Sequence, residues 1–212
     1  MYFSFNDKYT SCESKEYGDQ EMFDNKDLVL VIIDLQDKLV KIIPRINFII
    51  MNTRLLTLFA MKEQIPIIAT KQVKLGNIIS ELKKDIADYA YIVEKKSFSC
   101  FGSEEFTSIL GKLERKTLII TGIETHICVL QTVFDAVKKG YNVIVAVDAI
   151  GSQIPIDHEY GVRAIEKVGA QLLPAESIVY GLMRSSDHPS FKEILEKVKK
   201  RRRMGLGSSM II

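Results

Sequence analysis

Cys128 lies in the run Gly122-Ile123-Glu124-Thr125-His126-Ile127-Cys128-Val129-Leu130-Gln131-Thr132. Residues 117–121 before it are apolar and β-branched and read as a buried strand. Gly122 reads as a tight turn, and the segment beyond it has helical spacing. A thiol in the first turns of that helix sits near unpaired backbone N–H groups and the positive end of the helix dipole. Such surroundings favour thiolate over thiol, and thiolate is the nucleophile. The ordinary alternative is a small buried cysteine that packs a helix against a sheet. Two other reactive groups bear on the choice. Asp34 directly follows an apolar run at 28–33, and Lys95 follows a weaker one at 91–93. If all three strands are parallel, an acid, a cation and a thiol meet at one rim. The carboxylate could then accept the thiol proton while the cation holds the sulfur anion. Taken singly, each has a plain structural use: an Asp after a strand caps helices, and a Lys in Glu94-Lys95-Lys96 is a solvated charge. Only their joint placement points to chemistry.

The elements that must position these groups alternate along the chain. Apolar, β-branched runs occur at 28–33, 65–69, 117–121 and 142–147, with weaker ones at 91–93 and 171–173. None alternates cleanly with polar residues, which is the mark of parallel strands buried on both faces. Between them, 46–62 and 128–139 carry apolar residues at helical spacing. The helix at 128–139 has a stop at Gly140. Segments 160–168 and 190–200 also read as helices, the latter capped by Ser190. Strand–helix alternation with right-handed crossovers predicts an α/β three-layer sandwich. Its central sheet is doubly wound, mostly parallel and flanked by helices. In such sheets sites form beyond the carboxyl ends of the strands, where Asp34, Lys95 and Cys128 are expected.

The chain has 212 residues, 47% hydrophobic and 26% charged, with a formal net charge of +2. That suits one domain with a full core and gives no overall pull toward nucleic acid. Three cysteines at 12, 100 and 128, without metal-type spacing, argue for a reducing compartment. No apolar run approaches the roughly 20 residues needed to span a bilayer. The expected division is a flexible polar arm at 1–26, a domain at 27–198 and a basic, flexible tail at 199–212. The arm contains Asp7, Glu13, Glu16, Asp19, Glu21 and Asp24, unlike an acid-poor transit peptide. A cytoplasmic location is the default.

Beyond these patterns, the chain resembles the isochorismatase-like cysteine hydrolases across 27–198. The resemblance rests on Ile32-Ile33-Asp34-Leu35-Gln36, Lys95-Lys96-Ser97-Phe98-Ser99, the Gly122–Thr132 run and Val147-Asp148-Ala149 followed by Ser152. It is similar to the eukaryotic isochorismatase domain-containing proteins in 175–194 as well. The resemblance implies a triad: Cys128 as nucleophile, Asp34 as general base and proton shuttle, Lys95 orienting Asp34 and holding the thiolate. It also implies a cis peptide at Ile123–Glu124 and an oxyanion hole from the N–H groups of Glu124 and Cys128. Nicotinamidases of the family carry an Asp and two His that bind a metal after the second strand. Here 69–76 contains neither residue type, so no metal and no cofactor are expected. The implied reaction is hydrolysis of an amide or related C–N bond in a small-molecule substrate, by a homo-oligomer of dimer or tetramer size.

Other residues have competing uses. Gln36, Gln72, Phe98 and Phe101 are candidate pocket residues, although aromatic side chains serve more often as core. His126 lies two residues before Cys128, about 200° away around a helix, and reads as packing or capping rather than as a partner of the thiol. His158 and His188 fall in loop-like segments poor in metal-ligand pattern. Cys100 reads as a pocket or core residue with a chance of redox pairing to Cys128, and Cys12 as inert. Glu124 could bond locally, line the pocket or face a neighbouring subunit. A different class also fits the fold: a catalytically weak, protein-binding member. The basic cluster at 199–203 could touch nucleic acid, but it is short and reads as a solvated, frayed terminus.

Overall fold

The computed structural model describes residues 24–207. The expected Cys12 and most of the expected arm lie outside them. Six parallel strands form one sheet in the order β3-β2-β1-β4-β5-β6. They are β1 (Leu28–Ile33), β2 (Ile67–Gln72), β3 (Tyr91–Lys95), β4 (Thr117–Ile123), β5 (Asn142–Gly151) and β6 (Gln171–Leu173). Every residue of β1 is buried, so the strand has no solvent face and needs no polar alternation. Leu28, Leu30 and Ile32 pack into one core layer with α1 (Ile46–Lys62), α2 (Ser80–Ile86), α6 (Ala175–Met183) and α7 (Phe191–Gly207). Val29, Val31 and Ile33 pack into the other, with α3 (Glu104–Leu113), α4 (Leu130–Lys138) and α5 (Pro155–Val168). The result is the expected three-layer α/β sandwich. Among the described residues no helix is long and apolar enough to cross a membrane.

Strand order reverses between β1 and β4: the chain winds from β1 toward β3, then restarts at β4 on the other side of β1. The crevice beyond their carboxyl ends is the point where a doubly wound sheet opens. Gly122 sets its width. Paired with Ile33, it has φ +118°, and a Cβ there would stand 2.0 Å from the Ile33 carbonyl oxygen. Only glycine allows β4 to run this close to β1 and then turn.

Described elements run across both expected boundaries. Asp24 caps a short 3₁₀ turn at Asn25–Asp27 through its side chain. Arg115 donates to the carbonyls of Asn25 and Leu28, so the ordered fold begins before residue 27. At the other end, α7 continues to Gly207 rather than fraying at 199. Arg201 explains why. It donates to Asn52 Oδ1 at 2.7 Å and Glu176 Oε2 at 2.9 Å, and is ion-paired to Asp148. These contacts tie the helix to α1, α6 and β5. Ser190 directly precedes α7, its carbonyl accepts from the Ile194 N–H at 3.1 Å, and its hydroxyl donates to Glu63 Oε1 at 2.9 Å.

Candidate active site

Asp34 is the first residue past β1 and adopts the left-handed conformation, φ 51°, which is uncommon outside glycine. Its side chain is fully buried. Oδ1 accepts from the Thr70 hydroxyl at 2.8 Å, and Oδ2 from Lys95 Nζ at 2.7 Å. Lys95 ends the edge strand β3, separated from β1 by β2. The side chains of both residues have no solvent exposure. A buried ion pair persists only where further hydrogen bonds satisfy the remaining protons and lone pairs. Lys95 Nζ meets that condition by facing Gln72 Oε1 at 2.8 Å and the carbonyls of Phe98 and Ser97 at 3.1 and 3.2 Å.

The thiol completes the cluster. Past the cis peptide Ile123–Glu124, the chain makes one wide π-type turn over Thr125–Val129 before α4 begins. Such turns recur at functional sites because they re-aim a side chain. Here Cys128 is aimed at the rim of β1, and its sulfur lies 3.6 Å from Lys95 Nζ. Thr132 braces the turn by donating to the Cys128 carbonyl at 2.7 Å and accepting from the Cys100 N–H at 3.0 Å. Asp34, Lys95 and Cys128 are thus brought together in a buried cluster at the switch point of the sheet.

The electrostatics differ from the expected thiolate. Burial, followed by the Asp34 charge, pushes the Cys128 thiol up to about 12, against a smaller opposing pull from Lys95. The cation and helix terminus are outweighed by lost hydration and by the facing carboxylate. The resting site therefore holds a thiol whose neighbour can take its proton. Burial works against the Lys95 ammonium too, but Asp34 and Cys128 outweigh it, and Lys95 stands above the ordinary lysine value. Cys100, fully buried beside the same groups, is pushed up to about 11, mainly by burial.

The other expected residues divide. Gln36 is fully buried and spends its amide on the backbone. Its Nε2 donates to the carbonyls of Gln72 and Gly76 at 2.9 and 2.8 Å, and its Oε1 accepts from the Gln72 N–H at 2.8 Å. It is a clamp on the end of β2, not a free pocket group. Gln72 is half-buried and turns its amide oxygen to Lys95 at 2.8 Å. Phe98 is 54% exposed beside the site. Phe101 is packing: its ring meets Phe106 edge-on at 5.3 Å and Tyr141 at 5.7 Å. Glu124 accepts from the N–H of Gln153, 29 residues on, at 2.8 Å. His126 pairs with Ser152 at 2.9 Å. His158 belongs to α5 rather than a loop, and its ring lies 2.9 Å from the Thr125 hydroxyl. Burial, then Arg45, lowers its pKa. Among the described residues no group of three His, Cys, Asp or Glu could hold a metal ion. Thr70, Thr132 and the carbonyls of Ser97 and Phe98 belong to the site without having been expected. Register alone could have exposed Thr70, since β2 lies beside β1 and a side chain two residues before Gln72 shares its face.

Residues 29–177 match the isochorismatase domain family. A Dictyostelium discoideum relative, isochorismatase family protein 2A, is 30% identical over 185 residues, covering 84% of this chain and 92% of its own. Isochorismatase domain-containing protein 2 of Xenopus laevis is 30% identical over 169 residues, covering 78% and 80%. Among solved structures, the MAR1 ribonuclease of Caenorhabditis elegans superposes with a TM-score of 0.78 at 34% identity, covering 84% of this chain and 92% of that one.

Proposed function

We propose that this chain, which belongs to the isochorismatase family of hydrolases, uses Cys128 as a nucleophile on a small-molecule amide or related C–N bond. The observation that carries this reading is one ammonium touching both partners: Lys95 Nζ lies 2.7 Å from Asp34 and 3.6 Å from the Cys128 sulfur. In this reading Asp34 takes the thiol proton as sulfur attacks the carbonyl carbon. Negative charge develops on the substrate oxygen, where the N–H groups of Glu124 and Cys128 serve as the oxyanion hole. A donor of that kind contributes roughly 10²–10³ in rate. Collapse breaks the C–N bond, and Asp34 returns its proton to the departing amine. Water, deprotonated by Asp34, then attacks the thioester, the acid leaves, and sulfur regains its proton. Throughout, Lys95 balances whichever of the two groups is anionic.

The exposed apolar side chains Phe98, Phe134, Ile154, Ile156 and Tyr160 support a homo-oligomer, since such residues tend to be covered in assemblies. The deciding experiment is an amidase and C–N hydrolase panel on the wild type beside Cys128→Ala, with intact-mass detection of covalent adducts. Turnover or an acyl adduct on the wild type, absent in Cys128→Ala, is the expected result. No turnover and no adduct across the panel would overturn it and favour a protein-binding role on a hydrolase fold.

A further inference from the structure

We infer that Gln72 is a positioning residue for Lys95, which keeps the ammonium charged and in place between Asp34 and Cys128; this rests on the triad reading above. The argument is one of donor counting. An ammonium has three N–H groups, yet five acceptors surround this one: Asp34 Oδ2, Gln72 Oε1, the carbonyls of Phe98 and Ser97, and the Cys128 sulfur. The two short contacts, to Asp34 and Gln72, each claim a proton. The third is shared among two long carbonyl contacts and sulfur, so it is free to turn to Cys128 when the sulfur becomes an anion. Gln72 is built for this task. Its Nε2 donates to the Lys96 carbonyl at 2.8 Å, which forces the amide oxygen toward Lys95 and forbids a flip. Its backbone is gripped on both sides by Gln36. No other side-chain oxygen except the Asp34 carboxylate contacts this ammonium among the described residues. Without Gln72 the ammonium would keep Asp34 as its one short acceptor and would have to meet its other two protons with the longer carbonyl contacts and the sulfur, the contact meant for Cys128. Losing a hydrogen bond to the charged form then favours the neutral amine.

The test needs no substrate. Cys128 is alkylated with iodoacetamide between pH 7.5 and 10.5, and its peptide followed by mass spectrometry in wild type, Gln72→Met and Gln72→Glu, with Asp34→Asn as a control and thermal unfolding of each. The wild-type rate should climb steadily with pH. In Gln72→Met, Lys95 should lose its proton at lower pH than in wild type, so the curve bends and falls progressively below wild type toward pH 10.5. Gln72→Glu keeps an acceptor on Lys95 and adds charge, so it should run below wild type by a constant factor, without a bend. A role confined to packing would lower the unfolding temperature and leave both curves parallel and coincident with wild type, and that result would overturn the inference. If Gln72→Met does not fold, a bent curve for Gln72→Glu overturns it equally. If Asp34→Asn also leaves alkylation unchanged, the triad reading itself fails; if only the Gln72 variants do, the positioning role alone fails.

Discussion

Replacing Asp34 by Asn should make Cys128 easier to alkylate while stopping turnover. Lys95 Nζ touches both groups, so the carboxylate and the sulfur are no farther apart than the sum of those two contacts. A unit charge within that reach, at an effective dielectric near 20, acts on the thiolate with at least about 2.5 kcal/mol, or roughly two pKa units. Removing it should bring the thiol from about 12 down toward about 10, raising the thiolate fraction at pH 8 by roughly 100-fold. A less basic thiolate is a poorer nucleophile, and a Brønsted slope of about 0.4–0.5 gives back nearly a factor of ten. The net expectation is alkylation about tenfold faster than wild type. In this variant Gln72 and two carbonyls still accept from Lys95. Turnover should fall by about 10²–10⁴, the usual worth of a general base. The assay is the pseudo-first-order rate of iodoacetamide labelling at Cys128, beside hydrolysis of whichever amide the wild type cleaves. Alkylation slower than wild type would refute the reasoning, because it would mean that Asp34 serves to activate a standing thiolate rather than to receive a proton.

Three further outcomes follow from the same coordinates. Cys100 and Cys128 titrate higher in the fold, at about 11 and 12, than the ordinary 9.0, so the unfolded chain releases these protons first. Their contribution is fully present below pH 9 and is lost as pH rises through 11 and 12, on the order of 2–3 kcal/mol for Cys100 alone; denaturant midpoints at pH 8 and 10.5 should fall less in Cys100→Ala/Cys128→Ala than in wild type. Arg201→Met takes from Asp148 its ion-pair partner beneath α7 and leaves Glu176 with Arg202 alone, which should cost about 3–5 kcal/mol in denaturant unfolding, whereas a loss under 1 kcal/mol would return α7 beyond 199 to the status of a loose tail. Gly122→Ala drives a Cβ into the Ile33 carbonyl, and far-ultraviolet circular dichroism should show no cooperatively folded protein at 25 °C.

How far the sequence could be read depended on where each constraint acts. Strand β1 and helix α1 have the expected bounds because their signals are local: six apolar residues in a row, and a clean helical period. Strand β2 starts at Ile67 and runs on through Thr70 and Gln72, polar residues that read as the end of a strand. Their continuation is dictated by pairing with Val93 and Lys95 on β3, which no local pattern reveals. Helix α3 announced itself through Ser103, whose hydroxyl accepts from the Phe106 N–H, followed by Glu104 and Glu105 at the dipole's positive end, a cue that passes unnoticed beside stronger apolar runs. The persistence of α7 past residue 199 hangs on Arg201 reaching Asp148 and Glu176, which are 53 and 25 residues away in sequence. At the site, residue types and strand ends sufficed to bring Asp34, Lys95 and Cys128 together. The direction of the thiol's shift was not legible, because it depends on how completely the sulfur is buried and how close a carboxylate stands.

That shift changes how the site would work. A cysteine held as thiolate at neutral pH would be open to any passing electrophile or oxidant, since reactivity follows thiolate fraction. Here the buried cluster carries one cation and one anion, Lys95 and Asp34, and a neutral thiol. Ionising the sulfur while Asp34 stays anionic would place two negative charges against one ammonium among buried groups, and the thiol's value of about 12, set by burial and then by Asp34, expresses that cost. Moving the proton from sulfur to Asp34 leaves the charge count unchanged, so the step is inexpensive only if both happen together. Attack on a carbonyl carbon makes them simultaneous: the sulfur's negative charge passes to the substrate oxygen as the proton reaches Asp34. The nucleophile is then unmasked by its substrate rather than by the helix terminus. Wild-type Cys128 should accordingly resist iodoacetamide at neutral pH yet form an acyl adduct with a cognate amide under the same conditions; fast alkylation at pH 7 with a plateau above it would show a standing thiolate and end this account.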